Sequence, residues 1–183
     1  CKKPFPSMPL KFWNDKNNKK FEKAYFQRFK NIWHHGDYAE VKKSGGYIIY
    51  GRSDATLNPG GVRLGTAEIY SEVEKFKQIK ESIAVGQSWD NDIRIILFII
   101  LNKGYYLNSD LETKIKKQIR INASPRHVPA KIISVTDIPR TKNGKIVELA
   151  VKNIIDGNAI KNKEALENPE VLKEYKDIKE LND

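Results

Sequence analysis

Apolar positions are sparse and irregular up to about residue 53 and become periodic beyond it. Pro4, Pro6 and Pro9 open a loop, and the polar, aromatic-bearing stretch after them predicts a short helix around 20–30. YAEV (38–41) and GYIIYG (46–51) flank a Lys-Lys-Ser-Gly-Gly turn signal and predict a β-hairpin. The glycine-rich stretch 51–65, with Pro59, predicts exposed turns that a ligand or another backbone can approach closely. Thr66 is the expected cap of a helix whose Ile69, Tyr70, Val73 and Phe76 share one face. ESIAVGQSW (81–89) and IRIILFIIL (93–101) predict two strands joined through Asp90, Asn91 and Asp92. The second is apolar on both faces, which predicts a central place in its sheet. Ser109 and Glu112 form a capping-box pattern opening a helix with Leu111, Ile115 and Ile119 inward and Lys114, Lys116 and Lys117 outward. KIISV (131–135) predicts a third strand, 136–145 a loop, and Val147, Val151, Ile154 and Ile155 the buried stripe of a last helix. The polar tail, 156–183, is expected to pack loosely. Residues from 54 onward therefore read as a small α+β unit with its own core, and 1–53 as a remnant of a different one.

Composition adds limits. In 183 residues, 39% hydrophobic and 31% charged, there is enough apolar material for a core, which excludes wholesale disorder. The single cysteine, Cys1, excludes an internal disulfide framework and a Cys-rich zinc site. No apolar run reaches the roughly 20 residues of a membrane helix, so no membrane partner is expected. The net charge of +10 is uneven, because residues 1–53 hold 12 basic and only 4 acidic side chains. Its richest cluster, KFWNDKNNKKFEK (11–23), interleaves lysines with Phe12, Trp13 and Phe21, a pattern that would suit a polyanion through phosphate neutralisation and stacking. It carries no recognisable nucleic-acid fingerprint. The chain opens on Cys1 without methionine or a signal pattern, and so reads as cut from something longer.

Three segments offer chemistry. In WHHGD (33–37), Asp37 can accept from a pair of hydroxyls such as a ribose diol, or simply close a turn. The adjacent His34 and His35 point different ways on extended backbone, and His127 has no ligand set near it in sequence, so no metal site is expected. In GRSDATLNPGGVRLG (51–65), Arg52 and Arg63 present planar donor forks suited to phosphate or ribose oxygens, and Asp54 sits where the chain can pivot. In IPRTKNGKI (138–146), Asn143-Gly144 is a tight-turn signal that puts Lys145 on an exposed tip. An ammonium delivered there can neutralise charge developing at a phosphate; a solvated hairpin lysine is the plainer alternative.

Taken in order, HGD, GRSD, LNPGGVRLGTAEIY, SPRHVPAKI and RTKNGKIVELAVKNII resemble the end of the adenylate-forming acyl-CoA synthetases, and among them the members that act on acetoacetate. The likeness runs through nearly all of the chain. Acetyl-CoA synthetase, a close relative, has Ser-Gly-His in place of Gly60-Gly61-Val62 and Met-Arg-Arg in place of Val147-Glu148-Leu149.

The resemblance implies an α+β lid: a small C-terminal domain over 54–183, with a three-stranded sheet and flanking helices, turning about a hinge at Asp54. It implies that 1–53, hairpin included, is the last β-rich segment of a large N-terminal domain, the rest of which is a missing partner. The implied reaction makes an acyl-adenylate from a carboxylate and ATP (with Mg2+), then passes the acyl group to CoA. The implied substrates are acetoacetate, ATP and CoA, with no prosthetic group and no nucleic-acid partner, in the cytoplasm, serving fatty-acid and ketone-body metabolism. Asp37 would bind the ribose hydroxyls, Arg52 the same nucleotide, and Arg63 a phosphate. Gly61, with Gly60 beside it, would let the pantetheine tunnel close against backbone, and Lys116 or Arg126 would meet the 3′-phosphate of CoA. Lys145 would be the catalytic lysine, needed for adenylation and dispensable for thioester formation. The family's phosphate loop, acyl pocket and adenine site find no counterpart in the sequence, so the isolated chain is expected to be inactive. Two alternatives stay open: a ligase for another short acid such as acetate, and a non-catalytic basic remnant that binds polyanions.

Overall fold

The computed structural model describes residues 1–160 and 162–183, in two compact units, 1–37 and 38–183.

The first unit is an aromatic knot. Trp33 stacks on Tyr25 with centroids 3.7 Å apart, and Phe5, Phe21 and Phe26 meet the indole edge-on. Helix α1 (Lys19–Tyr25) supplies Phe21 and Tyr25, and the Asp15 carboxylate accepts from the Lys20 and Phe21 amides at 2.9 and 2.8 Å. Cys1 and Trp33 exchange backbone hydrogen bonds and close the knot. This packing removes most of the stacking platform considered for 11–23. Phe12 and Phe21 turn inward onto each other, and of the three aromatics only Trp13, at 95% exposure, faces solvent.

The second unit opens with the expected hairpin, β1 (Asp37–Val41) and β2 (Tyr47–Arg52), whose first residue closes the first unit. Its core is a three-stranded sheet in the order β3-β4-β5, from β3 (Ile79–Trp89), β4 (Asp92–Leu101) and β5 (Lys131–Ser134). β3 and β4 are antiparallel, with Ala84 opposite Leu97, and Asp90-Asn91 turns the chain with φ of 46° and 59°, the signature of a tight I′ hairpin. β5 joins β4 in parallel, Ile96 opposite Lys131. β4 is therefore central, and alternation sends its residues to two cores. Ile95, Leu97 and Ile99 pack against helices α2 (Thr66–Val73) and α3 (Ser109–Asn122). Ile96, Phe98 and Ile100 pack against helix α4 (Glu148–Ile155) and the tail. Each such side chain, fully buried, contributes about 1.5–3 kcal/mol.

Several expectations shift. The N-cap of α2 is Gly65, not Thr66; Thr66 is buried inside the first turn, and the helix ends at Val73, leaving Phe76 beyond it. The N-cap of α3 is Asn108, whose Oδ1 accepts from the Leu111 amide at 2.9 Å, one residue before the expected box. The tail does not pack loosely. Its 3-10 turns at Lys163–Ala165, Pro169–Tyr175 and Lys179–Leu181 bury Val171, Leu172, Tyr175 and Leu181. Arg94, the charge inside the apolar strand, explains part of this. Its guanidinium lies 3.7 Å from the centre of the Trp89 ring and donates to the Leu181 and Asp183 carbonyls at 2.7 Å, tying the tail to the sheet.

Candidate functional site

The segment after β2 is closed by two backbone hydrogen bonds between Leu57 and Leu64, 3.0 and 2.7 Å, which isolate a loop at 58–63. At its tip Gly60 and Gly61 both have positive φ, 58° and 74°, a region that glycine enters without penalty. The Gly60 amide donates to both oxygens of Asp92, at 3.0 and 2.9 Å. A Cβ on Gly60 would stand 3.0 Å from Arg126 Nη1. Folding thus brings Gly60 and Arg126 together, two residues distant in sequence that the resemblance assigns to the same ligand. Lys116 is differently placed. Its ammonium is held by Glu112 at 2.7 Å and by the Ala130 carbonyl at 3.3 Å, so an anion would have to displace those partners.

Arg63 leaves the loop toward β1, its guanidinium carbon 5.8 Å from the Tyr38 ring centre. Tyr38, Glu40, Tyr50, Glu68 and His127 line the concave surface around it. Tyr50 donates to Glu40 at 2.6 Å, and this hydrogen bond to a carboxylate raises its phenol to about 12; the Lys42 ammonium in turn holds Glu40 below the ordinary carboxylate range. His127 is buried, with Nε2 3.1 Å from Glu68 and Nδ1 2.8 Å from Ser124 Oγ. Sequence spacing does not reveal Glu68, which lies on α2 far from His127 in sequence, whereas Ser124 stands three residues before it. The result is a cationic fork beside an aromatic wall, an arrangement suited to an anion carried by a planar group.

Arg52 ends β2 and reaches Asp54 at 3.4 Å, both about half exposed, a pair worth little in stability and easily rearranged. Asp37, first residue of β1, lies 3.9 Å from His35. Beside Asp54 a narrow cleft is walled by Ala84, Val85 and Gly86 of β3 and by Glu148, Leu149 and Lys152 of α4. Glu148 accepts from the Tyr70 hydroxyl at 2.6 Å, and that hydroxyl accepts from the Ala84 amide at 3.1 Å, so one phenol ties α2, β3 and α4. Burial pushes the Glu148 carboxyl up, against the opposing bonds from Tyr70 and Thr66. A raised folded-state value means the group favours the fold when protonated, and this contribution is lost as pH rises through that value. Glu148→Gln keeps the acceptor and removes the charge. Its unfolding midpoint should exceed that of the parent at pH 8, with the gap closing toward pH 4; a gap that widens on acidification would contradict the assignment.

Lys145 occupies the exposed turn that the sequence predicts. Gly144, φ 75°, lets its amide donate to the Thr141 carbonyl at 2.7 Å, and the Thr141 amide donates to the Lys145 carbonyl at 2.8 Å. Arg140 and Ile146 bridge across the root of this hairpin. Among the described residues no hydrogen bond or ion pair holds Lys145 Nζ, so the ammonium projects from a pinned backbone. Among the described residues no three His, Cys, Asp or Glu side chains converge where a metal could sit. No described helix is long and apolar enough to cross a membrane.

No family model matches the chain. It is 56% identical over 181 residues to an acetoacetyl-coenzyme A synthetase of Rhizobium meliloti, covering 99% of this chain and 28% of that protein. An acetoacetyl-CoA synthetase of Mus musculus is 46% identical over 185 residues, with 100% and 28% covered. Among solved structures, the acetoacetyl-CoA synthetase of Streptomyces lividans superposes with a TM-score of 0.86 at 39% identity, over 94% of this chain and 26% of its own. An anthranilate CoA ligase in complex with anthranoyl-AMP matches 75% of this chain and 26% of its own, at a TM-score of 0.65 and 27% identity. The chain therefore spans about 28% of the length of the curated relatives it matches.

Proposed function

We propose that the chain, a homologue of acetoacetyl-CoA synthetases within the adenylate-forming acyl-CoA ligases, works as the C-terminal part of such a ligase. The reaction has two steps. The acetoacetate carboxylate attacks the α-phosphorus of ATP, giving acetoacetyl-AMP and pyrophosphate. The thiol of CoA, losing its proton, then attacks the acyl carbon, giving acetoacetyl-CoA and AMP. Mg2+ would accompany the ATP phosphates rather than sit in a cage of this chain's residues. The setting would be the cytoplasm.

One observation carries the reading: Lys145 stands next to the turn of a hydrogen-bonded hairpin with its ammonium uncommitted among the described residues, the condition for a charge that enters a phosphate site in one step and leaves it in the next. In the same reading, Asp37 would take the ribose hydroxyls and Arg52 would support the same nucleotide. Release of the half-exposed Arg52–Asp54 pair would let the chain turn at Asp54. Arg63 would engage a phosphate against Tyr38. Gly60 and Gly61 would admit the pantetheine arm, with Arg126 on the 3′-phosphate and Lys116 the second cation once freed from Glu112.

The direct test is ATP–pyrophosphate exchange driven by acetoacetate. The complete ligase should exchange, and the isolated 183-residue chain should not rise above background. Exchange by the isolated chain would overturn the division of labour; failure of acetoacetate, among short acids, to drive the complete ligase would overturn the substrate.

A further inference from the structure

We propose that the tail is the mount of the Lys145 hairpin, with Asn168 as a positioning residue for the adenylation step; this rests on the reading of Lys145 given above. The hairpin at 140–146 is too short to bury a core of its own. Its inner edge is anchored to β3, where Arg140 pairs with Glu81 and also donates to the Gly144 carbonyl at 3.1 Å. Its outer edge is anchored to the tail. The Lys142 amide donates to the Ala165 carbonyl at 3.3 Å, the Glu167 amide to the Arg140 carbonyl at 2.9 Å, and Thr141 bridges Leu166. Residues 165–167 thus lie along the hairpin as a short third strand, pinned by the buried Leu166.

Asn168 spends its whole amide on the loop that carries Lys145. Its Oδ1 accepts from the Arg140 amide at 2.9 Å, while its Nδ2 donates to Asp137 Oδ2 at 2.7 Å and to the Ile138 carbonyl at 3.0 Å. Asn168 is also the N-cap of the turn Pro169–Tyr175, yet its side chain makes no capping bond there. An asparagine at a cap position is ordinarily spent on the turn it opens; here that use is forgone for the neighbouring loop. Behind it Tyr175, fully buried and edge-on to Phe98, donates its hydroxyl to the Asp137 carbonyl at 2.7 Å. The mount therefore runs from the sheet through Tyr175 and Asn168 to the root of the hairpin. A point charge that must meet a transferring phosphoryl group depends on such a mount, since a misplacement of about 1 Å costs on the order of a hundredfold in rate. Thioester formation, which does not use Lys145, is indifferent to it.

The experiment uses the complete ligase and its two half-reactions: ATP–pyrophosphate exchange with acetoacetate, and thioester formation from supplied acetoacetyl-AMP and CoA. Asn168→Ala should lower the maximal exchange rate about tenfold or more and leave the thioester rate near that of the parent. Asn168→Asp should behave like the alanine variant, because it loses the donor and faces the Asp137 carboxylate. Adding Asp137→Asn to it restores the 137–168 pair with the roles exchanged but leaves the Ile138 carbonyl without its donor, and should recover part of the exchange rate. Equal loss in both half-reactions, no loss in either, or no recovery in the double variant would overturn the mount. Lys145→Ala, run in parallel, separates the two levels. If it fails to split the half-reactions, the reading of Lys145 falls and the mount with it. If it splits them while Asn168→Ala does not, only the mount falls.

Discussion

Lys145→Ala in the complete ligase should slow acetoacetyl-AMP formation about a hundredfold to a thousandfold while leaving thioester formation from supplied acetoacetyl-AMP near the parental rate. The size of the effect follows from what the ammonium does. On the proposed function, negative charge builds on the phosphate oxygens as the carboxylate attacks the α-phosphorus, and the Lys145 ammonium would lie against it. Removing one preorganised charge-stabilising donor from such a site costs about a hundredfold to a thousandfold in rate. The backbone does not compensate, because the turn at Asn143-Gly144 fixes the path of the hairpin whatever side chain stands at 145. Nor should the substitution unsettle the fold, since the side chain is exposed and among the described residues its Nζ holds no partner. Lys145→Arg should rescue little, a wider planar fork being a poor substitute for a compact charge. Both half-reactions failing together would make Lys145 a structural or general binding residue and would refute the alternation between two states.

The Lys145 turn was legible because Asn-Gly marks a tight turn locally, and β4 because IRIILFIIL leaves no polar face to expose. The caps were harder to read. Gly65 displaces Thr66 where the Tyr50 backbone presses against it, a tertiary contact, whereas Asn108 displaces Ser109 locally by accepting from the Leu111 amide; adjacent residues that are all competent caps leave the choice open in sequence. The burial of the tail is illegible in sequence for a deeper reason. Val171, Leu172, Tyr175 and Leu181 sit in short 3-10 turns, so they show neither period 2 nor period 3.6, and the polar residues between them conceal a buried set. The site divides the same way. Lys145, Arg63 and the two glycines announce themselves by type and local sequence. The meeting of Arg126 with Gly60, the Tyr38 wall and the Tyr70–Glu148 tie arise only when separate elements pack, and nothing in local sequence encodes them.

Gly65→Ala should be the most damaging single-methyl change in the second unit, and it isolates what joins the hairpin to the rest. The φ of Gly65 is −87°, so alanine is allowed there, and the stiffer unfolded chain would by itself stabilise by about 0.4–1 kcal/mol. The Cβ has nowhere to go. It would lie 2.3 Å from the Tyr50 carbonyl oxygen and 2.6 Å from the Tyr50 Cβ, atoms of β2 that no rotamer change can move. Forcing a methyl into such a contact costs about 1–3 kcal/mol or more, which outweighs the entropic gain. Gly86 is the comparison. A Cβ there meets the Ile93 Cγ2 at 2.6 Å, a side-chain methyl that a χ1 change can move where backbone cannot, so Gly86→Ala should cost less. The strain at Gly65 is relieved if β2 peels from the start of α2. Amide exchange should therefore accelerate in the hairpin, residues 37–52, ahead of the sheet, together with a lower unfolding midpoint. On the proposed hinge at Asp54, β2 and α2 lie on opposite sides of the pivot, so this contact belongs to one of the two working orientations. Gly65→Ala in the complete ligase should then depress one half-reaction at least about tenfold more than the other, the factor that 1.4 kcal/mol of differential strain produces. Parallel loss in both would place the contact in both orientations and would move the pivot away from Asp54.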